Sequence, residues 1–355
     1  MPIRKNQYFF STLRANVDAY FELNNIKKTG GSKLIFKAVF MLCLYLIPFI
    51  LILLFNLTLL QMFLLTIIMG IGVAGVGMSV MHDAIHGSFS SSPLVNKIFG
   101  SSLYLLGGNV YNWEVQHNKL HHTYTNVHHI DEDITGKFML RLSADDKLKP
   151  AHRFQHIYAF FLYSLMTFSF LWKDFKEIRL YNKMSKSGIV PRYPKKEFLI
   201  LLITKVAYIF FICIIPILLM DITFLQWFIG FFTLHFVAGI ILSTVFQLAH
   251  VVEGAEQPVV KDNGNIDNVW AIHQLNTTAN FAGKNKILSW YIGGLDHQVE
   301  HHLFPKISHI HYSAISNIVK KTAEDFGIIY NDKLSFMKGL SSHVRMLYSL
   351  GHGLV

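Results

Sequence analysis

The chain has 355 residues, of which 52% are hydrophobic and 15% charged, with a mean hydropathy of +0.36 and a formal net charge of +10. This balance suits lipid better than water as the solvent and argues against a pair of ordinary soluble domains. Its two cysteines, Cys43 and Cys213, both lie inside apolar runs, which excludes a disulfide framework or a thiolate site and leaves nitrogen and oxygen to hold any metal.

In chain order, a basic stretch carrying Arg4, Lys5, Arg14, Lys27, Lys28 and Lys33 comes first. The first apolar run is too late and too long for a cleavable signal peptide. Four runs are long enough to cross about 30 Å of hydrocarbon as helices, at 34–55, 57–81, 198–220 and 223–249. A second basic stretch, including Lys173, Lys176, Arg179, Lys183, Lys186, Arg192, Lys195 and Lys196, precedes the third run. The turns after the first and third runs are almost uncharged. The positive-inside rule then places 1–33, 82–197 and 250–355 in the cytoplasm, both termini included. The charge serves orientation and contact with anionic lipid, and no nucleic-acid partner is expected.

Two further segments, 94–106 and 154–171, are too short or too broken by polar residues to read as spans; the second reads as an interfacial or partly inserted helix. No linker or repeat divides the chain. The expected architecture is a single all-α integral membrane domain over 1–355, with four transmembrane helices in two hairpins and a cytoplasmic helical cap.

The histidines cluster at the cytoplasmic ends of these spans. HDAIH places His82 and His86 one helical turn apart on one face. HNKLHH repeats that relation for His117 and His121 and adds His122, about 100° further round an α-helix. VFQLAH ends the fourth span at His250, and DHQVEHH supplies His301 and His302. Between the first cluster and His250 the chain crosses the membrane twice, so all of them return to one side. Imidazoles so concentrated beside apolar helix ends call for a cation. Eight exceed what one tetrahedral zinc can use and imply two metals, with iron, copper, nickel and zinc all compatible with the ligand type.

Neighbouring acids, Asp83, Glu114, Asp131, Asp133, Glu253, Asp296 and Glu300, are candidates to accept the outer imidazole protons, or else to cap helices. His235, alone within the fourth span, reads as a helix-packing hydrogen bonder. His128, His129 and His273 read as outer partners or caps, and His152, His156, His309, His311, His343 and His352 as surface or interface groups.

HDAIH, HNKLHHTYTN and GGLDHQVEHHLFP, in that order around four spans, resemble the three histidine boxes of the membrane fatty-acid desaturases. QxxHH followed by LFP is similar to the front-end Δ5/Δ6-type acyl desaturases. The resemblance runs from about residue 34 to 305. It implies a non-haem di-iron enzyme that uses O2 and two electrons to introduce a cis double bond into a fatty acyl chain, carried by CoA, acyl carrier protein or a phospholipid. It also implies that His82, His86, His117, His121, His122, His301 and His302 ligate two irons, joined by His250 at the end of the fourth span. Gln298 fills the first position of the third box as a weak or water-mediated ligand, with His297 as an outer partner.

No HPGG haem motif of a fused cytochrome b5 occurs, which implies a separate electron donor such as ferredoxin or cytochrome b5 with its reductase. The expected membrane is the bacterial inner membrane, or the endoplasmic reticulum in a eukaryote. Candidates for head-group contact are Asn112, Trp113, Arg153 and Lys173, with interfacial anchoring as the alternative. Two other functions stay open: a di-iron hydroxylase or ketolase acting on an alkyl, sterol or carotenoid substrate, and a membrane metal transporter or haem protein.

Overall fold

The computed structural model describes residues 2–135, 139–259 and 269–355, with side chains from residue 8 onward. Four helices are long and apolar enough to cross a membrane. They are α2 (Ser32–Leu54), α3 (Leu59–His86), α7 (Lys195–Leu219) and α8 (Phe224–His250); α1 (Pro2–Leu23) precedes them. At 23 residues, α2 is about 35 Å long, sufficient for the hydrocarbon layer.

The two hairpin turns are built alike. Thr58 and Thr223 each cap the returning helix, accepting from the amides of Gln61 and Gln226, while the two glutamine side chains reach back to the threonine amides. The reciprocal capping satisfies amides at the start of each returning helix and fixes where the chain re-enters the membrane. α3 packs on α2 and on α8. The first contact is close because Gly72 lies against the backbone of α2, where a Cβ would stand 2.5 Å from the Tyr45 nitrogen.

Between the hairpins, Val110–Trp113 runs into a wide turn at Glu114–His121, together α4. The interfacial segment expected at 154–171 is a helix pair, α5 (Pro150–Ser164) and α6 (Met166–Ser187), bent by 75°. At that bend Gly239 of α8 lies directly on the Ser164 carbonyl. After α8 come α9 (Trp270–Thr277), α10 (Gln298–Leu303), α11 (Tyr312–Phe326) and α12 (Phe336–His352). The apolar faces of α1, α9, α10 and α11 share a core of their own that includes Phe9, Leu13, Leu275, Val299 and Ile315. The described residues form no β-strand, only an isolated bridge between Asn280 and Asp332.

Candidate metal centre

The first histidine cluster and His250 are brought to one end of the bundle by the spans themselves. α3 continues past the expected end of its run through a π-turn at Gly77–Met81, so that His82 and His86 sit on its last turn. His250 is the last residue of α8 and meets the rings of His121 and His302. The third box reaches this end of the bundle through two left-handed residues, Gly293 (φ +68°) and Gly294 (φ +67°). A side chain at Gly293 would collide with the Met78 carbonyl in the π-turn of α3.

The second box departs from the α-helical register expected for it. Glu114–His121 is π-helical, and the His122 amide donates to the His117 carbonyl at 3.0 Å, five residues back. Residues five apart therefore lie over one another. His117 and His122 bring their Nε2 atoms within 3.3 Å, while His121, its ring stacked 5.2 Å from that of His117, joins the other group with His250 and His302. A single helix thus addresses two positions, although by a wider turn than the sequence pattern suggests.

The eight imidazoles form two groups with a bridge between them. His82, His86, His117 and His301 converge in one; His121, His250 and His302 in the other; His122 lies with His301 and His302 between them. Within each group one ring nitrogen per histidine falls within 4.8 Å of the rest. All eight are buried. Among the described residues, His82 Nδ1, His86 Nε2, His121 Nε2, His122 Nδ1, His301 Nε2 and His302 Nε2 have no hydrogen-bond partner. Buried polar atoms are almost always satisfied, so the four unpartnered Nε2 atoms of His86, His121, His301 and His302 fit metal ions, while His82 and His122 bring Nε2 to 3.2 and 3.3 Å from His117 Nε2. Burial first, then repulsion between neighbouring imidazoles, holds the pKa values of His117, His122, His301 and His302 well below the ordinary range. These rings are therefore neutral, with a lone pair available to a cation.

The outer nitrogens are fixed by partners of four kinds. His121 Nδ1 donates to Asp131 Oδ2 at 3.0 Å, with Asp133 at 3.5 Å. Burial opposes charge on His121, but the charge and hydrogen bond of Asp131, with Asp133 adding to them, outweigh it and raise its pKa. His302 Nδ1 lies 2.8 Å from Gln274 Oε1, His301 Nδ1 3.1 Å from the Tyr312 hydroxyl, and His250 Nδ1 3.3 Å from the Thr277 carbonyl. Gln274, Tyr312 and Thr277 carry no sequence signal; they lie on α9 and α11, 28, 11 and 27 residues from the histidines they steady.

The remaining acids named from sequence do other work. Asp83 Oδ1 is 3.9 Å from His82 Nδ1, beyond hydrogen-bond reach, and its other oxygen accepts from His309 Nδ1 at 2.8 Å. Glu300 accepts from Asn280 and Tyr330. Asp296 is buried with its nearest ring at His297, 3.8 Å away. Glu253 is exposed and pairs with Arg345, and Glu114 has Lys119 and Glu197 as its charged neighbours.

Gln298 stands in the second group, its Nε2 3.1 Å from His250 Nε2 and its Oε1 without a partner. His297 turns away toward Glu300, at 3.7 Å, and a small recess that also holds Lys284 and Lys320. Despite burial, the hydrogen bond and charge of Glu300 raise its pKa.

Three histidines expected at the surface are buried. His309 links Asp83 to Lys37, whose ammonium donates to His309 Nε2 at 2.9 Å. His343 donates to the Val251 carbonyl and meets the Tyr163 hydroxyl. His152 is buried under α12. His309 and His343 each satisfy a buried polar group, a role that charge patterning alone does not reveal, and His152 accepts from the Lys149 amide. His235 bonds Tyr208 and Thr167 between spans, as its isolation in the fourth run suggests.

A cavity of about 330 Å³ opens beside His117. Trp113 stacks on that ring, with centroids 4.3 Å apart and planes 27° from parallel. The walls are apolar at Leu103, Leu162, Met166, Phe170 and Phe246, and polar at Asp133, Lys173, Asp174 and Glu177. Lys173 pairs with Glu177 at 3.0 Å. Asn112 lines this cavity but is held by Glu177 and the Tyr193 hydroxyl, and Arg153 is exposed outside it.

Residues 57–333 match the family model described as fatty acid desaturase. The chain is 33% identical to the sn-1 linoleoyl-lipid 6-desaturase of Synechocystis over 97% of this chain and 95% of the relative. Identity to the protein of the same name from Arthrospira platensis is 34%, over 96% of this chain and 91% of that one. With the acyl-lipid (8-3)-desaturase of Physcomitrium patens it is 30%, over 98% and 72%. The chain belongs to the fatty acid desaturase family.

Proposed function

We propose that this protein is an oxygen-dependent front-end desaturase that introduces a cis double bond into the acyl chain of a membrane lipid. The observation that carries the reading is the convergence of eight buried imidazoles on two adjacent points beside a largely apolar cavity. His82, His86, His117 and His301 would hold one iron and His121, His250 and His302 the other, with His122 between them and Gln298 beside the second. Bound there, the two irons would supply dioxygen activation and the removal of two hydrogens from adjacent methylenes. The balance is one acyl chain, one O2, two electrons and two protons giving one alkene and two waters.

The residues of the chain supply the rest. Asp131, Gln274, Tyr312 and the Thr277 carbonyl orient four of the imidazoles, so that little reorganisation accompanies metal binding. The acyl chain lies in the cavity with its reacting carbons against Trp113 and His117, and the apolar walls exclude water. Lys173, at the polar end, receives the ester or phosphate end of the lipid. How far that end sits from Trp113 sets which carbons react.

The names of the relatives support an acyl lipid as substrate over acyl-CoA or acyl carrier protein. The basic stretches flanking α2 and α7 support a cytoplasmic site, with the electrons arriving from a separate soluble carrier. Expression in a host lacking polyunsaturated lipids tests the reading: a new double bond, mapped by mass spectrometry of the host lipids, is expected. A hydroxylated or ketonic product would assign the chain to oxygen insertion instead.

A further inference from the structure

The imidazole groups are sealed from the medium by their own outer partners. Asp131, Gln274, Tyr312 and Thr277 are all buried, and Trp113 faces the acyl cavity. Trp270 differs. It opens α9 on the surface, 37% exposed, and its indole Nε1 donates to the backbone carbonyl of His122 at 3.0 Å. Among the described residues it is the exposed aromatic side chain hydrogen-bonded to a histidine of the centre.

Two neighbours tie it to the third box as well. Phe10 meets Trp270 edge-on at 5.3 Å and stacks on Phe304 at 5.9 Å, two residues beyond His302. One turn further along α9, Gln274 holds the His302 ring at 2.8 Å. The helix that exposes the indole is thereby anchored to the bridge between the two groups.

The geometry points to Trp270 as the entry point for electrons from a one-electron carrier protein, an inference that rests on the proposed desaturase function. Tunnelling decays more steeply through space than through bonds, and here a continuous route runs from the indole across one hydrogen bond into His122. The carrier docks over the exposed ring; an acidic iron–sulfur protein complements the chain's net charge of +10. Each passage oxidises the carrier by one electron and reduces one ferric ion to ferrous, with no bond made or broken and the indole unchanged. Two passages supply one turnover.

The test compares iron-loaded wild type, Trp270→Leu and Trp270→Phe by stopped-flow reduction, once with reduced [2Fe–2S] ferredoxin and once with dithionite. The Leu variant is expected to slow ferredoxin oxidation about tenfold or more, with iron content and dithionite reduction as in wild type. The Phe variant, keeping a ring but losing the hydrogen bond, falls between. An unchanged ferredoxin rate in the Leu variant overturns the assignment. Equal slowing with dithionite, or loss of iron, also overturns it, by showing that Trp270 merely supports His122. A wild type that holds no iron overturns the desaturase reading itself.

Discussion

Asp131→Asn is the substitution whose consequences the structure defines most closely. The carboxylate is fully buried and accepts three hydrogen bonds, from His121 Nδ1 at 3.0 Å and from the amides of Asn126 at 2.9 Å and Asp133 at 3.0 Å. Asparagine keeps the shape but loses the charge and one acceptor atom. If its NH2 faces His121, the ring must change tautomer and present a protonated Nε2 to the metal; if it faces the loop, one amide is left unpaired, at a cost of about 1–3 kcal/mol. Removing such an outer partner weakens metal binding by about 10–100-fold, or about 1.4–2.7 kcal/mol.

Only the group of His121, His250 and His302 depends on this contact, so the loss should be selective. Iron measured by mass spectrometry after dialysis against graded chelator should fall from two per chain toward one, at chelator strengths that leave wild type loaded. Asp133→Asn, whose carboxylate stands 3.5 Å from the same nitrogen and is partly exposed, should change retention by no more than a few-fold. Retention of both irons by Asp131→Asn with wild-type resistance would refute the argument that this carboxylate sets the second group.

Gln298→His, adding an imidazole beside His250, should tighten iron retention in the second group, whereas His297→Ala, facing away from it, should leave iron content unchanged. Iron assays of the two variants decide between the neighbours. His250→Ala should abolish desaturation, while His235→Ala, which removes a packing bond to Tyr208 and Thr167, should retain activity and lose about 1–2 kcal/mol of stability in detergent unfolding. The metal-free protein should be acid-labile in a defined window. His117, His122, His301 and His302 titrate well below their unfolded value of about 6.5. Protonation therefore favours the unfolded chain, stability is fully present above pH 6.5, and it falls below that by about 1.4 kcal/mol per pH unit per histidine. A pH series of unfolding midpoints that is flat between 6.5 and 5 would contradict this. Lys173→Met should raise KM for lipid substrate or shift the double-bond position, read from product mapping, while leaving iron content intact.

The spans and the box histidines were legible because both are local patterns. An apolar run of helical length needs no partner to be recognised, and HxxxH places two rings on one face within a single turn. The even number of crossings then puts His82 and His250 at one end of the bundle. The π-helical turn at Glu114–His121 was not legible, because hydrophobic periodicity reports which face is buried and not whether a turn holds four residues or five. It brought His122 Nε2 to 3.3 Å from His117 Nε2 and sent His121 to the other group, where an α-helical register gives His117 and His121 one face.

The outer partners were hidden for another reason. Asp131 is an acid 10 residues from His121 and invites the pairing, whereas Tyr312, 11 residues from His301, and Gln274, 28 residues from His302, are residue types that a box does not single out, and they reach those rings only once α11 and α9 have packed. The same applies to Lys37, His309 and Asp83, whose buried chain spans the first and last thirds of the sequence. Acids adjacent to a box in sequence, such as Glu253 and Glu300, were drawn to Arg345 and Tyr330 by the tertiary fold.

The central claim, two irons in paired imidazole groups carrying out desaturation, is met most directly by a single-turnover experiment. Purified protein is assayed for iron, chemically reduced, and exposed to ¹⁸O2 with acyl lipid. The account predicts close to two irons per chain, one new double bond per reacting chain, and the label in water alone. Stable loading with zinc in place of iron, or label recovered in a hydroxylated lipid, would contradict it.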